Sequence, residues 1–270
     1  MFTYLAHASP LHRLNPAMKL LGLVIVTAGA TFAFDPFIPA LLGAGLWWVT
    51  LLFGRVPLGR LLRWSIPLIL FPLPLIVFTA LYANVDPATA GPVLLRLGPW
   101  SITQQAALLG LGIGLRLTAI LAGSLLYIAT TDPSDFAVSL VQNLRFPYRF
   151  AYALLVSYRF LPLMRQEAET LRLAHRVRGR GRPHTLRDRL DNVRLLAVPL
   201  LASAIRKSER TALAMDARAF GASEERTYLR RMRVRAQDLG FVALSAAYTS
   251  AVYALAIRLG LADLAWIPGA

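Results

Sequence analysis

The chain has 270 residues, of which 56% are apolar, and a mean hydropathy of +0.53, a composition that favours an integral membrane protein over soluble domains. It contains no cysteine, which excludes disulfides, thiolate metal sites and a cysteine nucleophile. The net charge of +15 is local, because 21 of the 29 Lys and Arg residues lie between residues 131 and 235.

Long uncharged runs predict the membrane spans, because about 20 apolar residues cross a bilayer core as a helix. Asn15-Pro16 favours a turn before the first of them, and prolines 67, 72 and 74 predict that the third is bent or broken. The fold class is therefore all-α, with about five spans, or six if the third or fourth consists of two half-helices. The spans are expected at about residues 17–34, 36–53, 64–82, 102–129 and 239–261.

The segments between spans have different characters. Residues 83–103 contain proline and glycine and predict a loop. Thr130 to Ser134 predict a break and a fresh helix start, followed by a short helix over residues 135–143. Lys/Arg asymmetry places the basic segment and the amino end on the cytoplasmic side. We therefore expect membrane helices over residues 1–131, a cytoplasmic helical domain over 132–235, and the last span with the carboxyl tail over 236–270.

Two long amphipathic helices are predicted within the basic segment, and Pro199 is expected to kink the second. Each has residues spaced by three and four along one stripe. The first stripe comprises Ser157, Leu161, Met164, Ala168, Leu171 and Ala174, and the second comprises Leu190, Val193, Ala197, Leu200, Ala204, Thr211 and Ala214.

Both helices end in a similar basic tip. Residues 174–179 and 214–219 share the register Ala-x-x-(Val/Ala)-Arg-(Gly/Ala), which places Arg178 and Arg218 at matching positions forty residues apart. Gly179 and Gly221 stand where a left-handed cap favours glycine, so each arginine is expected in the last turn of its helix. A cation there suits the helix dipole and can reach outward.

Several function classes lack the residues they need. The two lysines, Lys19 and Lys207, fit no phosphate-binding loop, so we do not expect this chain to hydrolyse ATP. The four histidines lack metal-ligand spacing, and neither a metal nor another cofactor is expected. Missing intramembrane acids disfavour a proton-coupled carrier. Nucleic-acid binding is not expected, because the basic segment has no interleaved aromatic platforms.

Arg116 lies deep in the fourth predicted span. Because an unpaired guanidinium at the bilayer centre is costly, it must bind carbonyls, water or a partner. It contacts another membrane protein or makes an internal structural bond, and we favour the internal bond.

The basic segment itself has two further interpretations: a face that lies on anionic lipid, or a docking surface for a soluble partner. The duplicated arginine tip favours docking, because a lipid-binding face would scatter its charges along the helix.

Taken together, these residues resemble the transmembrane T component of energy-coupling factor (ECF) importers for vitamins and metals. The resemblance covers about residues 7–260 and rests on four features in order. They are residues 9–19 (Ser-Pro-Leu-His-Arg-Leu-Asn-Pro-Ala-Met-Lys), the Thr130-Thr131-Asp132-Pro133 break, Tyr158-Arg159-Phe160-Leu161-Pro162-Leu163, and the twin arginine tips.

The resemblance implies a non-catalytic scaffold in a prokaryotic cytoplasmic membrane. It would join two ABC ATPase subunits to a membrane-embedded, substrate-binding S component, for uptake of a vitamin, a vitamin precursor or a metal ion. The tips look somewhat like those of T components associated with thiamine-precursor uptake.

In the family the paired tips typically read Ala-Arg-Gly. Here they read Val177-Arg178-Gly179 and Ala217-Arg218-Ala219, so both arginines match while their neighbours differ. The resemblance implies that these six residues couple to the ATPases. The supporting positions are Arg159, Arg176, Phe220 and Gly221, with Arg159 expected to anchor its helix to the membrane surface or to a neighbour.

The leading alternative is an integral membrane enzyme whose basic face binds an anionic lipid or a phosphorylated substrate. Its candidate carboxylates are Asp132, Asp135, Asp188 and Asp191, whose spacing matches no metal motif. A channel is disfavoured, because the predicted spans carry no polar stripe.

Overall fold

The computed structural model describes residues 9–33, 35–54, 58–83, 91–97, 100–144, 146–178, 185–222 and 231–260. These residues are mostly helical, which confirms the all-α membrane fold class. A 3-10 helix, η1 (Pro10–Arg13), precedes helices α1 (Pro16–Phe32), α2 (Phe37–Leu52), α3 (Leu58–Leu70), α4 (Leu73–Tyr82), α5 (Gln104–Thr130), α6 (Pro133–Leu144), α7 (Tyr148–Val177), α8 (Leu186–Asp216) and α9 (Ala236–Arg258).

The prediction of a plain loop over residues 83–103 is wrong. Strand β1 (Val93–Leu97) pairs antiparallel with β2 (Trp100–Thr103), in a register that joins Leu97 to Trp100. The β-branched and aromatic residues of this stretch favour extended structure, and Gly98-Pro99 separates the two strands in the sequence. Proline and glycine therefore mark a hairpin here.

Three helical stretches are long and apolar enough to cross a membrane, within the part of the chain that the structure describes: Leu61–Tyr82, α5 and α9. The first is broken between Leu70 and Leu73, as its prolines predict, so α3 and α4 together make one span. Helix α5 is continuous, so the fourth span is not two half-helices. Helices α1 and α2 are apolar but shorter, at 17 and 16 residues, or about 25 Å each.

By residue contacts the chain divides into two compact units. The first comprises residues 1–139 and 232–270, and the second comprises residues 140–231. The assignment of one part to the membrane and the other to the cytoplasm stays a prediction.

The first unit is a helical bundle whose core lies between α1, α2, α5 and α9. Leu42 and Leu126 are fully buried there, as are Ala30 and Ala256. Glycines admit the aromatic side chains of α9: the Tyr248 hydroxyl passes Gly45 and donates to the Leu41 carbonyl at 2.6 Å. Tyr253 likewise donates to the Gly29 carbonyl at 2.7 Å. These small residues let the helices pack closely, as is common in membranes.

A buried lysine fixes one end of this bundle. The Lys19 Nζ donates to the Thr130 carbonyl at 3.0 Å and to the hydroxyls of Thr130 and Thr131 at 3.3 and 3.2 Å. Lys19 is 1% exposed, so its ammonium has exchanged water for these three oxygens. The start of α1 is thereby tied to the end of α5.

The start of α9 joins the same end through Asp238. Its carboxylate accepts from the Asn15 backbone N–H and from that of Arg235, both at 2.7 Å. The Asn15 side-chain amide donates to the Met232 carbonyl at 3.2 Å. Asp238 also interacts electrostatically with Lys19. The sequence analysis did not identify either residue as structurally important.

We expect Lys19→Met to destabilise the bundle by about 3 kcal/mol, because it leaves buried oxygens and the Asp238 charge without their cation. Thermal unfolding of the purified protein in detergent measures this. The other lysine provides the control: Lys207 is 39% exposed and pairs on the surface of the second unit, so Lys207→Met should have a much smaller effect. Equal melting temperatures for the two variants would contradict the role of Lys19.

Candidate functional site

The second unit holds the two long helices with the arginine tips. Helices α7 and α8 run antiparallel, because Glu167 meets Lys207 while Phe220, just beyond α8, meets Tyr148 and Tyr152 at the start of α7. The Glu167 Oε2 lies 2.8 Å from the Lys207 Nζ. Hydrogen bonding to Lys207 and the charge of Lys207 lower the pKa of Glu167, so this carboxylate is ionised at neutral pH.

The predicted stripes on these helices are partly right. Half-buried members include Met164, Ala168, Leu171, Ala197, Leu200, Ala204 and Thr211. Other members are exposed: Leu161 by 54%, Leu190 by 55% and Val193 by 61%, and likewise Ser157, Ala174 and Ala214. The exposed members are not covered by another helix among the described residues of this unit. Pro199 lies inside α8.

The tip after α8 is a compact hydrogen-bonded turn. The Phe220 N–H donates to the Met215 carbonyl at 3.0 Å, and the Ala219 N–H donates to the Asp216 carbonyl at 2.9 Å. This pair of bonds, with Ala219 in the left-handed region at φ 56°, is the Schellman arrangement that ends many helices. The side chain of Arg218 projects from the position just before the left-handed residue and is exposed.

This geometry corrects the predicted cap. The regular helix ends at Asp216, so Arg218 lies in the turn beyond α8 and not in its last turn. The left-handed residue of the turn is Ala219. It stands where the Ala-Arg-Gly pattern has its glycine. Gly221, two residues later, has φ 96°, a positive value that glycine adopts more easily than other residues. The expectation that Gly221 itself forms the cap is therefore wrong in register.

Phe220 packs the turn after α8 against the start of α7. Its ring centroid lies 4.8 Å from that of Tyr152 and 5.9 Å from that of Tyr148. Gly221 follows beside the side chains of Tyr148 and Arg149. Hydrogen bonding to Tyr148 raises the pKa of Arg149, so that cation stays charged. The aromatic contact fixes where Arg218 sits.

The other tip lies at the far end of α7. Arg178 is the C-cap residue, and its backbone N–H donates to the Ala174 carbonyl at 3.2 Å. Arg176 and Arg178 are exposed, and Val177 is 89% exposed. Gly179 falls outside the described residues. Both arginines therefore lie within two residues of the end of a long helix.

The structure does not bring the two arginines together. Arg218 is held near the first turns of α7, and Arg178 directly follows its last turn. Helix α7 has 30 residues and is therefore about 45 Å long. The two arginines are exposed at opposite ends of α7.

The remaining predicted residues have simple positions. Arg159 is exposed in the interior of α7, near Pro162. The Arg116 Nη2 donates to the Ala33 carbonyl at the end of α1, which is the internal bond that we favoured.

Three of the four carboxylates of the enzyme alternative lie at the starts of helices, and Asp191 is exposed in the second turn of α8. Asp132 accepts from the Ser134 N–H at 2.7 Å, and Asp188 forms a capping box with Thr185. Asp135 lies in the first turn of α6. Among the described residues no group of three or more His, Asp or Glu residues could hold a metal ion.

The sequence profile of the CbiQ family, described as cobalt transport protein, matches residues 7–229. The chain belongs to the CbiQ family. It is 31% identical to the energy-coupling factor transporter transmembrane protein EcfT of Heliobacterium modesticaldum, over 87% of this chain and 89% of that one. It is 26% identical to the EcfT of Bacillus subtilis, over 88% of this chain and 91% of that one.

A third relative has a different architecture. A putative ABC transporter ATP-binding protein of Bifidobacterium longum is 25% identical over 92% of this chain but only 32% of its own length. With the EcfT relatives and the apolar helices, the family match identifies this CbiQ-family chain as a transmembrane component of an ECF transporter.

Phe220→Ala should loosen the turn that carries Arg218, because it removes two aromatic contacts worth about 1 kcal/mol each. We expect amide hydrogen exchange at Phe220 and Ala222 to quicken about tenfold, with the Arg178 end unchanged. Phe150→Ala is the control, since Phe150 lies on α7 between Tyr148 and Tyr152 but is 68% exposed. Equal exchange in both variants would contradict the seating role.

Ala219→Gly should stabilise the same turn by about 1 kcal/mol, because glycine adopts the left-handed conformation without the cost that Cβ imposes. Slower amide exchange at Phe220 would measure this gain. Ala222→Gly provides the control: Ala222 does not have a positive φ, so glycine there gives no gain. If both glycine variants exchange faster than the parent, the cap assignment is wrong.

Proposed function

We propose that this chain is the coupling subunit of an ECF-type ABC importer. It passes ATP-driven movement of two ATPase subunits to a membrane-embedded S component, for uptake of a vitamin, a vitamin precursor or a metal ion. The observation that carries the proposal is the pair of equivalent arginine tips at opposite ends of α7. A separation of about 45 Å suits two partner subunits, one at each tip.

Each tip has the chemistry for a charge-assisted contact. Arg178 and Arg218 present an exposed guanidinium at a helix end, where its fork can bind carboxylates or carbonyls in a groove of a partner. Backbone hydrogen bonds hold each arginine at its base. The partner therefore meets a positioned cation.

The helices between the tips can carry force. Helix α7 is continuous over 30 residues, and α8 over 31, with the Glu167–Lys207 ion pair between them. When ATP binding draws the two ATPases together, the docked tips turn α7 and α8 as one body, because α7 holds the two tips at a fixed separation. Because a continuous helix is stiff, the displacement reaches the rest of the chain and through it the S component, which reorients and releases substrate.

The relatives' names support the ATPase partnership. EcfT proteins are named as energy-coupling factor transporter components. In the Bifidobacterium longum relative, a segment similar to this chain makes up about a third of a protein named as ATP-binding. ATP hydrolysis in the importer belongs to the ATPases. The S component chooses the ligand, and a thiamine precursor is the candidate that the tips favour.

The distribution of charge supports a cytoplasmic position for the tips. Three arginines just before the start of α9 are exposed: Arg231, Arg233 and Arg235. Arg13 lies at the same end, whereas Asp35 and Arg258 lie at the other. The more basic end faces the cytoplasm by the positive-inside rule, with the amino end and the segment over residues 132–235 on that side.

We expect Arg178→Glu and Arg218→Glu each to weaken the docking of one ATPase by about 30-fold or more, because each replaces a bound cation with a repelled anion. Native mass spectrometry of the co-expressed complex should then find one ATPase per chain in either single variant and none in the double variant. Uptake of the substrate of the cognate S component should be lost in all three.

Arg172→Glu is the matched control for that experiment. Arg172 is exposed on α7 less than two turns before Arg178, so its reversal changes the net charge equally without touching a tip. Normal uptake by both single tip variants, or an equal loss in Arg172→Glu, would refute the coupling role.

A further inference from the structure

The first unit has an open groove of about 630 Å³ at the bundle end where α2 finishes and α9 starts. Its lower wall is apolar, with Val49, Phe53 and Leu244, and its rim is polar, with Arg13 and Gln237. One small ligand in the groove would therefore contact an apolar wall on one side and a charged rim on the other. Its volume is in the range of small-molecule sites.

The position of the groove identifies the surroundings of its occupant. Helix α9 is apolar and long enough to span a membrane, and its groove residue Leu244 is 67% exposed. Phe53, just beyond the end of α2, is 51% exposed. Such side chains in a spanning bundle meet acyl chains, while the rim lies at the level of the headgroups. An amphiphile fits both walls.

The charge of the rim selects the headgroup. Arg13 is exposed there, and Arg233 and Arg235 lie in the segment of the same unit that leads into α9. The neighbouring acid, Asp238, is buried and accepts two backbone N–H groups, so its carboxylate faces away from the rim. A phosphate in the groove would meet a cation and no carboxylate among the lining residues.

Gly240 keeps one wall of the groove open. It lines the groove in the second turn of α9, and a Cβ built on it would meet nothing within 4 Å. Glycine inside a helix costs up to about 1 kcal/mol relative to alanine, and no close neighbour requires it here. Among the described residues, Gly240 therefore leaves room in the groove for a ligand.

From these observations we propose that the groove formed by η1, the end of α2 and the start of α9 is a binding site for one anionic phospholipid. Arg13 binds its phosphate, and its acyl chains lie along Phe53 and Leu244. The site requires only that the chain is embedded in a membrane, so it is independent of the coupling role. With the orientation proposed above, the lipid belongs to the cytoplasmic leaflet.

The test uses the full chain in phosphatidylcholine vesicles that contain a photoactivatable phosphatidylglycerol or, in parallel, a photoactivatable phosphatidylcholine. Mass spectrometry of the labelled peptides locates the lipid. We expect phosphatidylglycerol to label residues 237–244 about fivefold more than phosphatidylcholine does, which corresponds to one charge near the surface. Equal labelling by the two lipids would overturn the proposal.

Two variants separate charge from shape. Arg13→Gln should lower the phosphatidylglycerol signal to the phosphatidylcholine level, while Arg258→Gln, at the other end of α9, should leave the ratio unchanged. Gly240→Phe should lower labelling by both lipids several-fold by filling the groove, whereas Gly240→Ala should retain most of it. An unchanged ratio in Arg13→Gln overturns the proposal.

A competition arm separates lipid from soluble anion. Inorganic phosphate added to the vesicles should not displace the labelled phosphatidylglycerol, because the acyl chains contribute most of the binding. Displacement by phosphate would overturn the lipid assignment in favour of a soluble-anion site. Melting temperatures of all variants are measured alongside, and the Arg13→Gln ratio decides the matter if Gly240→Phe does not fold.

Discussion

The buried ammonium of Lys19 is the interaction on which the bundle of the first unit depends. Its three oxygen partners all belong to Thr130 and Thr131, where α5 ends, and Asp238 adds the start of α9. A charge withdrawn from water is stable only when such partners are in place. The start of α1, the end of α5 and the start of α9 must therefore lie at the same end of the bundle. The rim of the groove lies at that end.

The second unit relies on a different principle, because few of its apolar residues are buried. Its helices are held in register at two places: the Glu167–Lys207 pair along their length and the Phe220 aromatic contact at one end. Long helices with exposed apolar side chains, such as Leu154, Leu201 and Ile205, are suited to a complex with other subunits. In this unit, contacts within the chain hold the turn after α8 in place, whereas much of the apolar surface of its helices is left uncovered.

Much of this could be predicted from the sequence. Uncharged runs located five apolar segments, and prolines located the break between α3 and α4, because both signals act over a few neighbouring residues. The polar cluster could not be predicted, since Lys19 and Asp238 are 219 positions apart and each alone reads as a helix-end charge. The hairpin was missed because Gly98-Pro99 punctuates loops and hairpins alike.

The tip shows why helix caps are hard to place from sequence alone. Glycine is the usual signal for a left-handed residue, so Gly221 was favoured over Ala219. The structure places the Schellman bonds two residues earlier, with alanine in the strained position. Phe220 accounts for this, because its ring reaches Tyr148 and Tyr152 when the chain reverses at Ala219. The aromatic contact offsets the cost of the strained alanine, and Arg218 stays within two residues of its helix end, as Arg178 does.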